Sequence, residues 1–260
     1  MNNIMAIEIN KIITYCSDYL QAEKFDDYCY NGLQIQGKEK ISRIVMGVTF
    51  SEELIKKAIE RRADLIIVHH GIGSKHFGEK ARIVGFFKKR IKLMLENNIA
   101  LAGFHLPLDA HPIIGNNATI IKQLGMIKKQ ALITPNYDLP IGYIGEYSKP
   151  MKREAFINLV NKKLNTNSFV LPYGSNMIKR VGVISGGAVK EAIDAHRVGC
   201  DTYLCGEIKE SIVHPMKELQ MNFINAGHYN TETFGLKNLG QLLSKKFKLP
   251  VEFIDIPCEV

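Results

Sequence analysis

Short apolar runs alternate with longer amphipathic stretches along most of this chain. Residues 65–68 form a continuous apolar run rich in β-branched side chains, which is typical of a strand buried on both faces. Upstream, Ser51 is followed by two glutamates, so we predict that it caps a helix running to about Arg62. This alternation of strand and helix indicates βαβ units, and therefore an α/β fold with a largely parallel sheet.

The same patterns predict most of the remaining elements. Strands are predicted at residues 44–48, 99–104, 141–147, 181–184, 202–205, 222–226 and 251–256. Helices are predicted at residues 81–97, from Asn116 or Asn117 as the cap to Gly125, and at 153–164, 189–198, 209–220 and 233–246. Residues 130–140 contain two prolines and an asparagine, which favours a linker there.

The two halves of the chain have similar patterns. Aligning them pairs Asp64 with Asp201, His69-His70 with Gly206-Glu207, and Phe104 with Gly227. Because βαβ units share composition, a chance likeness is the alternative to a true repeat. The repeat predicts two similar α/β lobes with mostly parallel sheets. We expect the first lobe to comprise residues 1–130 and 226–260, and the second to comprise residues 131–225.

Histidines lie at the ends of three predicted strands. His69 and His70 close one strand, His105 closes the next, and His228 closes the strand at 222–226. Ligands bind at the carboxyl ends of parallel strands, so these imidazoles can meet at one edge. We expect the strands to belong to one sheet, with the segment from about Ala226 packing onto the first lobe.

Two of these histidines are followed four residues later by a carboxylate, Asp109 in one case and Glu232 in the other. On a helical turn, positions four apart share a face, so one segment can present both groups to one point. Pro107 favours a turn rather than a helix at Asp109. Asn230 or Thr231 can cap a helix that carries Glu232.

Together these four imidazoles and two carboxylates exceed what one tetrahedral metal ion needs. They suit a pair of ions that share a bridging carboxylate. Nitrogen and oxygen ligands fit Zn²⁺, Fe²⁺ or Mn²⁺, so we predict two divalent cations per chain. The alternative for any single histidine is a buried or capping side chain.

Other polar features have weaker placements. Glu207 ends a predicted strand and is a general base, a residue that supports a ligand, or a polar residue with satisfied hydrogen bonds. The glycine turn at residues 185–188 either faces a phosphate or forms a tight left-handed turn. Cys205 is expected in the core. The remaining histidines follow no such strand end: His76, His111, His196 and His214.

The net charge of +8 permits nucleic acid or phosphate-bearing partners, although lysines that simply solvate the surface explain it equally. Five cysteines without a CxxC pair indicate reduced thiols, and hence a cytoplasmic protein. We expect no signal peptide, because charged residues interrupt the first apolar runs. No stretch approaches the roughly 20 apolar residues that cross a bilayer, so we expect no membrane association.

Several motifs together resemble the NIF-three-like family, whose bacterial members are called GTP cyclohydrolase one type 2 homologs or YbgI-like proteins. The resemblance covers nearly the whole chain. It rests on the following runs: Tyr30-Asn31-Gly32-Leu33-Gln34, Ile66-Ile67-Val68-His69-His70-Gly71, Phe104-His105-Leu106-Pro107-Leu108-Asp109-Ala110, Gly206-Glu207-Ile208, and Gly227-His228-Tyr229-Asn230-Thr231-Glu232-Thr233-Phe234-Gly235.

This resemblance implies two α/β lobes with a dinuclear metal site between them, and toroidal homohexamers. It places the metal ligands on His69, His70, Asp109, His228 and Glu232, with His105 near the metals. The chain departs from the family's pattern after the double histidine, at residues 72–75, and after Asp109, at residues 111–115. Both departures can alter the mouth of a pocket.

Two functions from different classes follow. The first is a metal-dependent hydrolase, one form of which acts like a GTP cyclohydrolase on a nucleotide or phosphorylated substrate, with Glu207 or His105 moving protons. The second is a non-enzymatic toroid that binds metal, DNA or a partner protein. The basic runs of the chain lack interleaved aromatic residues and any known DNA-binding motif, which weighs against nucleic acid.

Overall fold

The computed structural model describes residues 6–74 and 82–258. The predictions for His76 and for a helix start at Ala81 lie outside the described residues. The chain divides into two compact units: Met1–Leu108 with Leu236–Ile256, and Asp109–Gly235 with Pro257–Val260. The sequence prediction divides the chain elsewhere, after residues 130 and 225.

Strands and helices alternate in both units. The strands are β1 (Ile7–Glu8), β2 (Gly32–Ile35), β3 (Lys40–Ile41), β4 (Ile44–Thr49), β5 (Leu65–His70), β6 (Ala100–Gly103), β7 (Ile127–Leu132), β8 (Gly142–Lys152), β9 (Phe169–Pro172), β10 (Met177–Val183), β11 (Thr202–Cys205), β12 (Asn222–Asn225) and β13 (Val251–Phe253). The helices are α1 (Ile9–Leu20), α2 (Glu52–Glu60), α3 (Gly85–Glu96), α4 (Leu106–Ala110), α5 (Asn116–Gln123), α6 (Arg153–Leu164), α7 (Ala192–Arg197), α8 (Val213–Glu218), α9 (His228–Thr231) and α10 (Thr233–Phe247). The α/β class predicted from the sequence is confirmed.

The first unit contains a five-stranded sheet with the order β13-β4-β5-β6-β2. Its three pairings among β13, β4, β5 and β6 are parallel, and β2 pairs antiparallel with β6. The apolar run that predicted β5 is fully buried. The backbone N–H of Leu54 donates to Ser51 Oγ at 3.2 Å, so the predicted cap of α2 is confirmed.

The second unit contains a six-stranded sheet with the order β7-β8-β10-β11-β12-β9. Only the β10–β11 and β11–β12 pairings are parallel, and the other three are antiparallel. The prediction of a mostly parallel sheet is therefore wrong for this unit. Strand β7 overlaps only the first three residues of the predicted linker, 130–132, and both prolines lie after the strand.

Strands β5 and β12, which precede two of the histidine clusters, lie in different sheets. The prediction that they share one sheet is wrong, because β12 is the counterpart of β6 rather than its neighbour. Phe104 N–H donates to Val68 O, and Ala226 N–H donates to Cys205 O in the same arrangement. These bonds pair Phe104 with Ala226, one residue away from the Gly227 of the sequence alignment.

A repeated hydrogen-bond pattern accompanies the sequence similarity of the two halves. In the first unit, Asp64 Oδ2 accepts the backbone N–H groups of Ser42 and Arg43 at 2.7 and 3.2 Å. In the second, Asp201 Oδ2 accepts those of Lys179 and Arg180 at 2.9 and 2.8 Å. Each aspartate directly precedes a central strand, so the same residue type fixes the start of β5 and β11.

Along the described residues, no helix combines the length and the apolar character needed to cross a membrane.

Candidate metal centre

Three histidines of the first unit lie side by side at the carboxyl ends of β5 and β6. His69 and His70 are the last residues of β5, and His105 follows β6. Because these strands are parallel neighbours, their carboxyl ends share an edge. One nitrogen from each ring lies within 4.8 Å of the other two. The structure therefore brings together His69, His70 and His105, three of the four histidines that the sequence predicts as ligands.

The Nδ1 atoms of these histidines contact protein groups. These contacts decide whether Nε2 can act as a metal ligand. His69 Nδ1 lies 3.0 Å from the carbonyl oxygen of Phe104. A carbonyl only accepts, so Nδ1 carries the proton and Nε2 carries the lone pair. His70 Nδ1 lies 3.1 Å from Thr49 Oγ1, a hydroxyl that can donate or accept.

Asp27 anchors His105. Asp27 Oδ1 lies 2.8 Å from His105 Nδ1, and Oδ2 accepts the backbone N–H of Leu106 at 2.9 Å. Burial raises the pKa of Asp27, but the hydrogen bond and the charge of His105 outweigh it, so the pKa is lowered overall. A carboxylate on Nδ1 of a histidine is the usual outer partner of a metal ligand. Sequence reasoning missed Asp27.

In the second unit, His228 lies between two carboxylates at the start of α9. Its Nδ1 is 2.7 Å from Glu207 Oε1, and its Nε2 is 3.2 Å from Glu232 Oε2. Burial lowers the pKa of His228, but the hydrogen bonds and charges of both glutamates outweigh it and raise the pKa to about 9. Without a metal ion, the imidazole is therefore held as a cation. A divalent cation can replace that proton between Nε2 and Glu232.

Asp109 lies within α4, so the predicted turn at this residue is wrong. Pro107 is the second residue of the helix, where a missing N–H costs no intrahelical hydrogen bond. Asp109 is buried, and its Oδ1 accepts from Ser185 Oγ and from Asn116 Nδ2, each at 2.8 Å. These two donors fix one carboxylate oxygen in place.

Asn116 and Asn117 do not cap α5 as predicted, because Gly115 occupies the cap position. Both are fully buried, and their side chains bind distant segments. Asn116 Oδ1 accepts the backbone N–H of Gly235 at 2.6 Å, while Asn117 Oδ1 accepts that of Ser185 at 2.7 Å. They tie the start of α5 to the segments around Asp109 and Glu232.

Glu232 lies between α9 and α10, not inside a helix, and it is buried. Neither residue proposed as its helix cap acts on it. Thr231 Oγ1 accepts the N–H of Gly186 at 3.0 Å, and Asn230 Nδ2 donates to the carbonyls of Leu164 and Asn165. These bonds instead position the backbone on either side of α9.

The glycine turn at residues 185–188 approaches the acidic side chains directly. Gly186 has φ +66°, and a Cβ there would collide with Glu232 and come within 3.2 Å of His228 Nε2. A Cβ on Gly187 would lie 3.1 Å from Glu207. This is a left-handed turn that glycine alone adopts without strain, and its acidic neighbours disfavour a phosphate.

The other residues considered in the sequence, apart from His76, have roles in the fold rather than in the candidate metal centre. His111 Nδ1 accepts the backbone N–H groups of Ile113 and Ile114, each at 3.2 Å. His196 lies on α7 and His214 on α8, as predicted. Cys205 is in the core, where burial raises the pKa of its thiol well above the ordinary value.

The chemistry of these donors fits divalent cations. The first unit offers three imidazoles, and the second offers one imidazole and two carboxylates, with no thiolate among them. This mixture of nitrogen and oxygen donors suits Zn²⁺, Fe²⁺ or Mn²⁺. Asp27 and Glu207 supply the outer carboxylates that orient two of the imidazoles.

Comparisons with known proteins agree along the full chain. The GTP cyclohydrolase 1 type 2 homolog of Haemophilus influenzae is 39% identical over 257 residues, covering 98% of each chain. That of Pseudomonas aeruginosa is 38% identical over 253 residues, covering 97% of this chain and 99% of its own. A solved structure described as protein ybgI, of unknown function, has a TM-score of 0.92 at 34% identity and covers 98% of this chain and all of its own. The family model described as Duf34/NIF3 (NGG1p interacting factor 3) matches residues 7–259, and the chain belongs to this family.

Proposed function

We propose that this chain is a divalent-metal-dependent hydrolase in which the two units each contribute half of a dinuclear site. The observation that carries the proposal is the orientation of the imidazoles. The Nδ1 atoms of His69, His105 and His228 each bind a carbonyl or a carboxylate. Side chains held in this way present Nε2 as the ligand atom, as metal-binding histidines do.

The points at which the chain passes from one unit to the other support the proposal that the two half-sites form one site. Asp109 opens the second unit and follows His105 by four residues, a stretch that spans at most about 14 Å when extended. Another of the three connections between the units follows Gly235, three residues after Glu232. Two of the three connections therefore lie beside candidate ligands. We propose the ligand set His69, His70, His105, Asp109, His228 and Glu232.

Two divalent cations, when bound, would lower the pKa of water toward neutrality and act as Lewis acids. The residues of the chain have separate tasks around them. Ser185 and Asn116 fix one oxygen of Asp109 in place, and Gly186 leaves room for Glu232. Glu207 orients His228 through one oxygen. Its side chain is 39% exposed, so its second oxygen can take a proton from an attacking water.

The substrate class follows from the relatives, which are named GTP cyclohydrolase 1 type 2 homologs. We propose a nucleotide or phosphorylated substrate. On GTP, one water would add to C8 of guanine and open the imidazole ring by breaking the C8–N9 bond. A second water would hydrolyse the resulting formamide and release formate. Glu207 is the first candidate for the proton transfer, and His105 is the second, a role that it would have instead of binding a metal ion. We also propose a cytoplasmic homohexamer, which is the assembly that the family resemblance implies.

Turnover by metal-reconstituted protein tests this function. The protein is loaded separately with Zn²⁺, Fe²⁺ or Mn²⁺ and given a panel of nucleotides and phosphoesters, with formate release followed for GTP. We expect turnover that chelation abolishes and that Glu207→Gln lowers while the metal content stays measurable. Metal binding without turnover of any member would contradict the hydrolase. DNA binding that weakens steeply with salt would then favour the non-enzymatic toroid.

A further inference from the structure

Asp27 lies in the segment between α1 and β2, and its buried side chain accepts several hydrogen bonds. Its side chain is 1% exposed, and its two oxygens accept four hydrogen bonds. Oδ1 accepts from His105 Nδ1 at 2.8 Å and from Cys29 N–H at 3.1 Å. Oδ2 accepts from Leu106 N–H at 2.9 Å and from Asn31 Nδ2 at 3.1 Å.

We propose that Asp27 is a positioning residue that selects the His105 tautomer with its proton on Nδ1 and its lone pair on Nε2. Asn31 also holds His105 in place, since its Oδ1 accepts the backbone N–H of His105 at 2.9 Å. The side chain and the backbone of His105 are therefore both tied to the same short segment. The link to metal binding rests on the proposed function, in which Nε2 is a ligand atom.

The four donors around Asp27 explain why a carboxylate is required. An asparagine there would have one oxygen and one NH₂ group. If the NH₂ replaced Oδ1, it would donate to His105 Nδ1 and move the ring proton to Nε2. If it replaced Oδ2, it would oppose the N–H of Leu106 and the amide of Asn31. The isosteric change therefore either moves the ring proton of His105 to Nε2 or removes the hydrogen bonds from Leu106 and Asn31.

Asp27 differs in burial from Glu207, the carboxylate that binds His228. Glu207 is 39% exposed and can exchange a proton with water, whereas Asp27 is 1% exposed and has both oxygens committed. Asp27 therefore orients its histidine without taking part in proton transfer. It also differs from the structural aspartate Asp64, whose oxygens accept hydrogen bonds from Lys38 Nζ and from the backbone N–H groups of Ser42 and Arg43.

Nitrogen NMR of ¹⁵N-histidine-labelled, metal-free protein in alkaline buffer tests the tautomer directly. We expect wild-type His105 to carry its proton on Nδ1, Asp27→Asn to shift it toward Nε2, and the control Asp64→Asn to leave it unchanged. An Nε2-protonated His105 in the wild-type protein would overturn the inference. That measurement requires no variant to fold and no metal to bind, so it stands even if the proposed function fails.

Metal affinity gives a second readout through His105. We expect Asp27→Asn to weaken Zn²⁺ binding about 10- to 100-fold, and Asp64→Asn to leave it within about twofold. In a His105→Ala background, Asp27→Asn should then have no further effect, because the residue through which it acts is gone. An equal loss of affinity with and without His105 would mean a general structural role and would refute the proposal.

Discussion

His228 Nδ1 lies 2.7 Å from Glu207 Oε1, which fixes the imidazole through its outer nitrogen. The equivalent relationship in the first unit joins His105 to Asp27 at 2.8 Å. Each contact leaves Nε2 of its ring as the atom that can bind a metal ion. The two carboxylates differ in solvent access, since the side chain of Glu207 is 39% exposed and that of Asp27 is 1% exposed.

The metal-free protein should lose stability as the pH rises through about 9. His228 has a pKa of about 9 in the fold against an ordinary value of 6.5, so the folded state binds its proton more tightly. That stabilisation is complete below the unfolded pKa and disappears as the pH passes the folded value. Urea denaturation of chelated protein between about pH 6 and 10 measures it. His228→Ala, which lacks the group, should show a flatter profile, and identical profiles would contradict the assignment.

Replacing Glu207 by Gln should weaken metal binding about 10- to 100-fold without unfolding the protein. The amide is isosteric, but it removes the charge that favours the proton on Nδ1 of His228. Competition with a chromophoric chelator measures the affinity. Glu146→Gln is the matched control, because Glu146 pairs with Arg180 at 3.0 Å instead of a histidine. Equal affinities for the two variants would exclude Glu207 as an orienting residue.

Gly186→Ala should reduce metal content, and Gly125→Ala should not. Both glycines have a left-handed backbone, with φ of +66° and +70°, so both substitutions cost about 1–2 kcal/mol of strain. Only at residue 186 would the new Cβ meet Glu232 and His228, since nothing lies within 4 Å at residue 125. Elemental analysis with denaturation curves separates the effects. Equal metal content in both variants would argue against the close approach at Gly186.

Asn116→Ala should destabilise the protein by about 1–3 kcal/mol, because the buried N–H of Gly235 loses its acceptor. Asn116→Asp should be worse, since it places a second carboxylate against Asp109 in a buried site. Denaturant unfolding at neutral pH ranks the two variants. The reverse order would mean that Asp109 is neutral in the fold.

Local sequence patterns predicted the central strands and the convergence of three histidines. The run at residues 65–68 is buried on both faces as part of β5, and the histidines at the ends of β5 and β6 converge because parallel strands end at one edge. Helix α1 was not predicted, although Ile9, Ile12 and Cys16 recur at helical spacing and are buried.

Local sequence patterns did not predict features that depend on contacts between residues far apart in the chain. Asp27 and His105 lie 78 positions apart, so no spacing motif connects them. Asn116 and Asn117 have the residue type of a helix cap, but their side chains bind remote backbone instead. Strand β7 is mostly exposed because it lies at a sheet edge, and its sequence lacks the alternation of apolar and polar residues that predicts strands.

The stoichiometry of bound metal tests the central claim, a dinuclear site built from both units, most directly. Elemental analysis compares the wild-type protein after reconstitution with His69→Ala, His228→Ala and the double variant. We predict about two divalent ions per wild-type chain, fewer in each single variant, and little further loss in the double variant, since residues of one site are not additive. Absence of metal from the wild-type protein, or independent and additive losses in the variants, would contradict the shared site.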